Sequence, residues 1–164
     1  MSESTSNLKA AFAGESQANR SYLAFSYKAK EEGYPLVAKR FRVAVASETI
    51  HALNHLERMG GVNSTAENLK AAMGGENFEH TSMYPSFSTV AESEGDTAAL
   101  ESFHWANEAE KFHEKMFAEA AADLAGVPDK KYFVCQWCGM TYEDDTPDAC
   151  VVCGYPKAQI KEIS

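Results

Sequence analysis

Cysteine is absent from everything before position 135 of this 164-residue chain. Any thiol chemistry is therefore confined to the tail. No run of lysine or arginine exceeds two residues, and the net charge is −9. The chain thus lacks the basic stripe that nucleic acid or an anionic membrane surface would require, so neither is expected as a partner. No apolar stretch approaches the length of a bilayer span. No Gly-x-Gly-x-x-Gly run appears, so no nucleotide site of that type is expected. The opening Met1-Ser-Glu-Ser-Thr-Ser6 lacks the basic and apolar regions of a secretory leader, and a cytoplasmic location is expected. There, paired thiols favour metal over disulfides.

What is present is a core-forming composition, 45% hydrophobic, arranged with a helical period. A first helix is expected over about 5–32, with Leu8, Ala11, Phe12, Ala18, Tyr22, Phe25 and Ala29 recurring near that period. Gly33 stops it, and Pro35 suits the first turn of a second helix that runs to about Met59, before Gly60-Gly61. Ser64 and Glu67 form a capping-box signature for a third helix. Within that helix Gly74-Gly75 and Pro85 predict a kink or break near Tyr84. Gly95 ends this segment, and Asp96 caps a fourth helix to about Ala125. Long helices with short connections pack antiparallel. The expected organisation is a bundle over 1–128 and a small domain over 132–164, joined by Gly126-Val-Pro-Asp-Lys-Lys131. After that linker the helical period disappears, as in a module that a metal must hold together.

Residues three apart on a helix share a face, so Glu48 with His51 and Glu110 with His113 can each grip one ion. A third pair, Glu101 with His104, lies about two and a half turns before Glu110, on the opposite face. Depth also separates the pairs. Glu48 and Glu110 lie equally far past the turns that precede their helices, and Glu15 and Glu76 lie at nearly the same height before those turns. Glu79 stands one turn along from Glu76. The chain therefore holds two weak repeats, Glu15 with Glu48/His51 and Glu76 with Glu110/His113. The set matches the pattern of ferritin-like di-iron and di-manganese proteins, a Glu from each of two helices and Glu-x-x-His from the other two. Five carboxylates against two divalent ions leave such a site almost neutral, whereas without metal they repel or take up protons. His55, His80 and His104 are read as solvated or hydrogen-bonded. Tyr22 and Tyr84 return to the same face as the acids, either as core rings or as hydroxyls bonded to a ligand carboxylate.

In the tail, Cys135-x-x-Cys138-Gly139 and Cys150-x-x-Cys153-Gly154 make a tetrahedral sulfur cage for zinc or iron. The glycines permit the tight turn that aims backbone N–H groups at sulfur.

Taken together, the chain resembles rubrerythrin, a ferritin-like bundle followed by a rubredoxin-like domain. The likeness rests on Gly75-Glu-Asn-Phe-Glu79, Met83-Tyr-Pro85, Ala91-Glu-Ser-Glu-Gly95 and Tyr132-x-x-Cys-x-x-Cys-Gly139 with Cys150-x-x-Cys-Gly154. Val151 departs from the pattern, because rubredoxin-type loops usually carry proline there. The resemblance implies an all-α fold, an antiparallel four-helix bundle with a tetrathiolate domain appended. It also implies a di-iron centre and one further iron in the thiolate cage. Glu48 and Glu110 would bridge the irons, Glu15 and Glu76 would be terminal, and His113 would bind the second iron. Glu79 and His51 would exchange as ligands on redox change.

The implied activity is reduction of hydrogen peroxide to water in oxidative-stress defence. Electrons would come from an external NAD(P)H-dependent reductase or a rubredoxin. The tail is expected to begin at one end of a helix about 40 Å long, and the resemblance implies a head-to-tail homodimer that brings each thiolate iron to its partner's di-iron site. The alternatives are a ferroxidase or iron-storage protein, a di-manganese catalase, and a structural zinc-binding interaction protein.

Overall fold

The computed structural model describes residues 2–163. By internal contacts the chain divides at the Asn63–Ser64 junction into two compact units. The expected division at 128–132 marks a change of composition and fold type.

The first unit is a helical hairpin. Helix α1 (Glu3–Glu31) starts at Ser2, whose side chain accepts from the Thr5 amide. Gly33 adopts φ 84°, and the Tyr34 amide reaches back to the Ala29 carbonyl at 2.8 Å. Helix α2 (Pro35–Arg58) opens with its proline in the first turn. The residues buried between the helices are small: Ser26, Ala29, Ala38 and Ala52, with Asn19. The Asn19 amide donates to the Val45 carbonyl at 2.8 Å and to the Thr49 hydroxyl at 2.7 Å, tying α1 to α2. Replacing Asn19 by alanine removes both bonds at a buried position and should cost about 1–3 kcal/mol. Thermal melting checks this, and an unchanged midpoint would refute it.

The second unit begins at the capping box, with Ser64 and Glu67 bonding reciprocally as expected. Helix α3 (Thr65–Phe78) runs through Gly74 and Gly75 without interruption. It passes into a π turn (Glu79–Met83) and then α4 (Tyr84–Glu94). The kink expected at Tyr84 is replaced by this wider turn, in which the Tyr84 amide reaches Glu79 O. The backbone stays helical because the widened turn gives room to the ring of Pro85, which in a regular helix would crowd the carbonyl four residues back. Gly95 (φ 70°) ends α4, and the Asp96 carboxylate caps α5 (Thr97–Ala122).

Beyond α5, strands β1 (Tyr132–Cys135), β2 (Thr141–Glu143) and β3 (Ile160–Ile163) form an antiparallel sheet in the order β2-β1-β3. The sheet packs on α5 rather than trailing away from it. Trp105 of α5 lies against the core formed by Cys135, Cys138, Cys150 and Ile160. Lys130 donates to Glu119 of α5 at 2.8 Å and to Glu143 of β2 at 3.2 Å, clasping the linker between them. No helix among the described residues is long and apolar enough to cross a membrane.

Candidate metal centres

Each unit brings together one acidic trio. In the first, His51 Nδ1 lies 2.8 Å from Glu48 Oε2 on α2 and 3.7 Å from Glu15 Oε1 on α1. In the second, His113 Nδ1 lies 2.6 Å from Glu110 Oε2 on α5 and 3.6 Å from Glu76 Oε2 on α3. Within each trio the three donor atoms lie within 4.8 Å of one another.

The likeness between the units extends to their aromatics. Tyr22, Phe25 and Phe41 form a ring trio with centroid distances of 6.2, 6.2 and 5.6 Å. Tyr84, Phe87 and Phe103 form another at 6.4, 6.3 and 5.6 Å. The step along the chain is the same from Tyr22 to Tyr84, Phe25 to Phe87, Phe41 to Phe103, Glu48 to Glu110 and His51 to His113. From Glu15 to Glu76 it is one residue shorter. The second unit thus carries one extra residue between Glu76 and Tyr84, and the π turn that begins at Glu79 accommodates it. Glu79 joins neither trio.

The donors fit divalent metal. Among the described residues Glu76 Oε2 is buried with no hydrogen-bond partner, an expensive condition that a cation relieves. Burial pushes the Glu76 carboxyl above the usual range; Glu110 adds to the shift and His113 opposes it. Glu79 is raised by burial and by Glu76, again against His113. Tyr84 is raised by burial, then by Glu110, Glu79 and Glu76, so it senses the acidic group. Neither Tyr22 nor Tyr84 hydrogen-bonds a ligand carboxylate among the described residues; both rings pack in their aromatic trios. His80 is hydrogen-bonded to Glu114 at 2.5 Å, and Asn77 holds the other Glu114 oxygen at 3.0 Å. His55, His80, Glu101 and His104 belong to no metal-capable group among the described residues.

The four cysteines are unpaired, and their sulfurs converge within 4.8 Å of one another. Two matching knuckles carry them. Gly139 (φ 83°) donates to Cys135 O at 2.9 Å, and Gly154 (φ 74°) to Cys150 O at 2.8 Å. These positive φ values are the reason for glycine at both positions. Burial pushes Cys138 and Cys153 up. Burial acts upward on Cys150 too, but the Tyr142 hydroxyl and the Val152 and Cys153 amides bring it down to about 6. Four close thiols in a water-poor core, with hydrogen-bond donors aimed at Cys138, Cys150 and Cys153, suit a thiolate-bound metal.

One contact joins the two metal-capable regions of the second unit. The other ring nitrogen of His113, Nε2, lies 3.1 Å from the hydroxyl of Thr141 on β2. Thr141 is 5% exposed. The tail follows the end of α5, as expected, and the fold-back of the linker then puts β2 beside His113. Sequence reading missed Thr141, Trp105 and Glu114. Nothing in the local pattern marks them, because their roles arise from contacts between distant segments.

Residues 6–121 match the Rubrerythrin family model. The chain is 32% identical to Rubrerythrin-2 of Clostridium acetobutylicum, over 92% of this chain and 91% of that one. It is 33% identical to Nigerythrin of Nitratidesulfovibrio vulgaris, over 92% and 82%. It is 34% identical to Rubrerythrin of Porphyromonas gingivalis, over 99% and 90%. Among solved structures, partially reduced nigerythrin aligns with a TM-score of 0.57 at 30% identity, covering 99% of this chain and 88% of that one.

Proposed function

The chain belongs to the rubrerythrin family, and from that membership and its own geometry we propose that it reduces hydrogen peroxide to water in oxidative-stress defence. The observation that carries the reading is His113, which touches the Glu76/Glu110 trio through one ring nitrogen and Thr141 of the thiolate domain through the other. A storage protein has no need of an electron-carrying module held against a ligand of its oxidising site.

The balance is H2O2 plus two electrons and two protons to two waters. When bound, an iron pair supplies both electrons together, and a tetrathiolate iron returns them singly. In this reading Glu48 and Glu110 would be the ligands shared by the pair, Glu15 and Glu76 the terminal carboxylates, His113 a ligand of the second ion, and Glu79 and His51 alternative ligands. The contact between His113 Nε2 and Thr141 orients the imidazole so that Nδ1 faces the carboxylates. Cys135, Cys138, Cys150 and Cys153 hold the single iron.

An NAD(P)H-linked reductase or a rubredoxin supplies electrons from outside. Delivery from the thiolate cage runs within one chain through the His113 contact. A head-to-tail homodimer is the second route. The exposed apolar side chains Leu36, Val43, Ile50 and Leu53 on α2 support association with a second copy. Mixing subunits that lack the thiolate domain with subunits that lack His113 separates the routes, since restored turnover requires transfer between subunits.

The function is tested by anaerobic reduction followed by one stoichiometric dose of peroxide. Rapid reoxidation of both chromophores, with a much slower response to air, is the expected result. Preference for O2 would replace the proposal with a ferroxidase.

A further inference from the structure

Around the thiolate cage backbone amides reach several sulfurs, and Cys150 receives a side-chain hydroxyl as well. The Tyr142 hydroxyl donates to Cys150 Sγ at 3.2 Å. The oxygen of that hydroxyl accepts the Val151 amide N–H at 3.1 Å. The result is a two-bond relay: Val151 N–H to Tyr142 Oη, and Tyr142 O–H to Cys150 Sγ. Among the described residues the other side-chain hydrogen-bond contacts of the sulfurs are with one another, Cys135 with Cys153 at 3.7 Å and Cys138 with Cys150 at 3.5 Å. The Tyr142 ring is half-buried and packs in the cysteine core, so its hydroxyl is held in place. Val151 is 72% exposed, so its contribution here is its backbone N–H, not its side chain. Every residue except proline can supply that N–H.

We propose that Tyr142 sets the reduction potential of the thiolate iron, and that the Val151 amide holds its hydroxyl in the donating orientation. One-electron reduction adds a full negative charge to the cage. Much of that charge falls on sulfur, so a hydrogen bond to sulfur is stronger in the ferrous state than in the ferric. The Val151 N–H polarises the hydroxyl and strengthens the bond it donates. Tyr142 is therefore a positioning and tuning residue; the metal is held by sulfur. The cage is biased toward retaining an electron. This inference depends on the tetrathiolate iron alone and is independent of the oxidant the protein meets.

The test is a spectroelectrochemical titration of the red ferric–thiolate absorption in the iron-loaded full chain. In Tyr142→Phe the ring stays and the hydroxyl goes. The ferric form should gain about tenfold over the ferrous, a fall of about 59 mV for a one-electron couple. Val151→Pro removes only the supporting N–H and should shift the equilibrium in the same direction by less. In the Tyr142→Phe background it should add nothing. An unchanged potential in a Tyr142→Phe protein that keeps its red spectrum would overturn the proposal. An equal effect of Val151→Pro with or without Tyr142 would also overturn it, since the amide would then act by another path. If Tyr142→Phe fails to load iron, Val151→Pro decides alone, and no shift there rejects the relay.

Discussion

Replacing Cys135 with serine should abolish the red chromophore, lower iron content by about a third and unfold the tail, while the helices remain. Cys135 is 1% exposed and ends β1, where its amide bonds Met140 O at 2.9 Å. The domain around it has three strands of 4, 3 and 4 residues. Its buried core is Cys135, Cys138, Cys150 and Ile160, with the partly buried Cys153 and several rings around them. That is too little apolar surface to fold on burial alone. Metal binding is folding energy in such modules, worth about 10–16 kcal/mol for structural zinc in small peptides. A hydroxyl in place of one thiolate forfeits much of it. Visible absorption, metal analysis and limited proteolysis of the linker read the result together. Under the proposed function, donor-linked peroxide turnover should also fall, by at least about 100-fold. Retained red colour with full iron content would show that the cage is not closed by Cys135.

Replacing Glu76 with glutamine should have opposite effects with and without metal. Its Oε2 has no hydrogen-bond partner among the described residues, and its carboxyl is raised by burial and by Glu110. A carboxyl raised on folding stabilises the fold while protonated, below its unfolded range, and that contribution is lost as pH rises through the folded value. Above that folded value the ionised group opposes folding of the metal-free protein. Glutamine removes that charge, so the metal-free melting temperature should rise. Mild acidification of the metal-free wild type should raise it too, and the variant should lack that part of the response. In the loaded protein glutamine is a poor substitute for a carboxylate, and metal affinity should drop by at least about 10–100-fold. Melting with and without iron, across pH, separates this from a packing role. A variant destabilised equally in both states would mean that Glu76 is structural.

The sequence made the helices legible because their ends carry local chemistry. The Ser64/Glu67 capping box, the Asp96 cap and the positive-φ glycines at 33 and 95 act within a few residues. The acidic trios were readable for the same reason, since helical spacing and equal depth place Glu48/His51 and Glu110/His113 alike. The glycine knuckles behind each Cys-x-x-Cys pair were local as well. The π turn was misread because Pro85 signals a break in any helix, and only the surrounding packing decides between a kink and a widened turn. The contact of Thr141 with His113 was invisible. It depends on a linker course set by Lys130 with Glu119 and Glu143, none of which has a signature of its own.

The single extra residue at Glu79 bears on how unlike two equivalent halves can become. Two identical hairpins would offer identical sets of donor atoms. Lengthening one hairpin by one position, absorbed as a bulge instead of a break, gives that half a carboxylate its twin lacks. The ring trios keep nearly the same spacing in both units, so the two donor sets differ in composition while the aromatics beside each of them match.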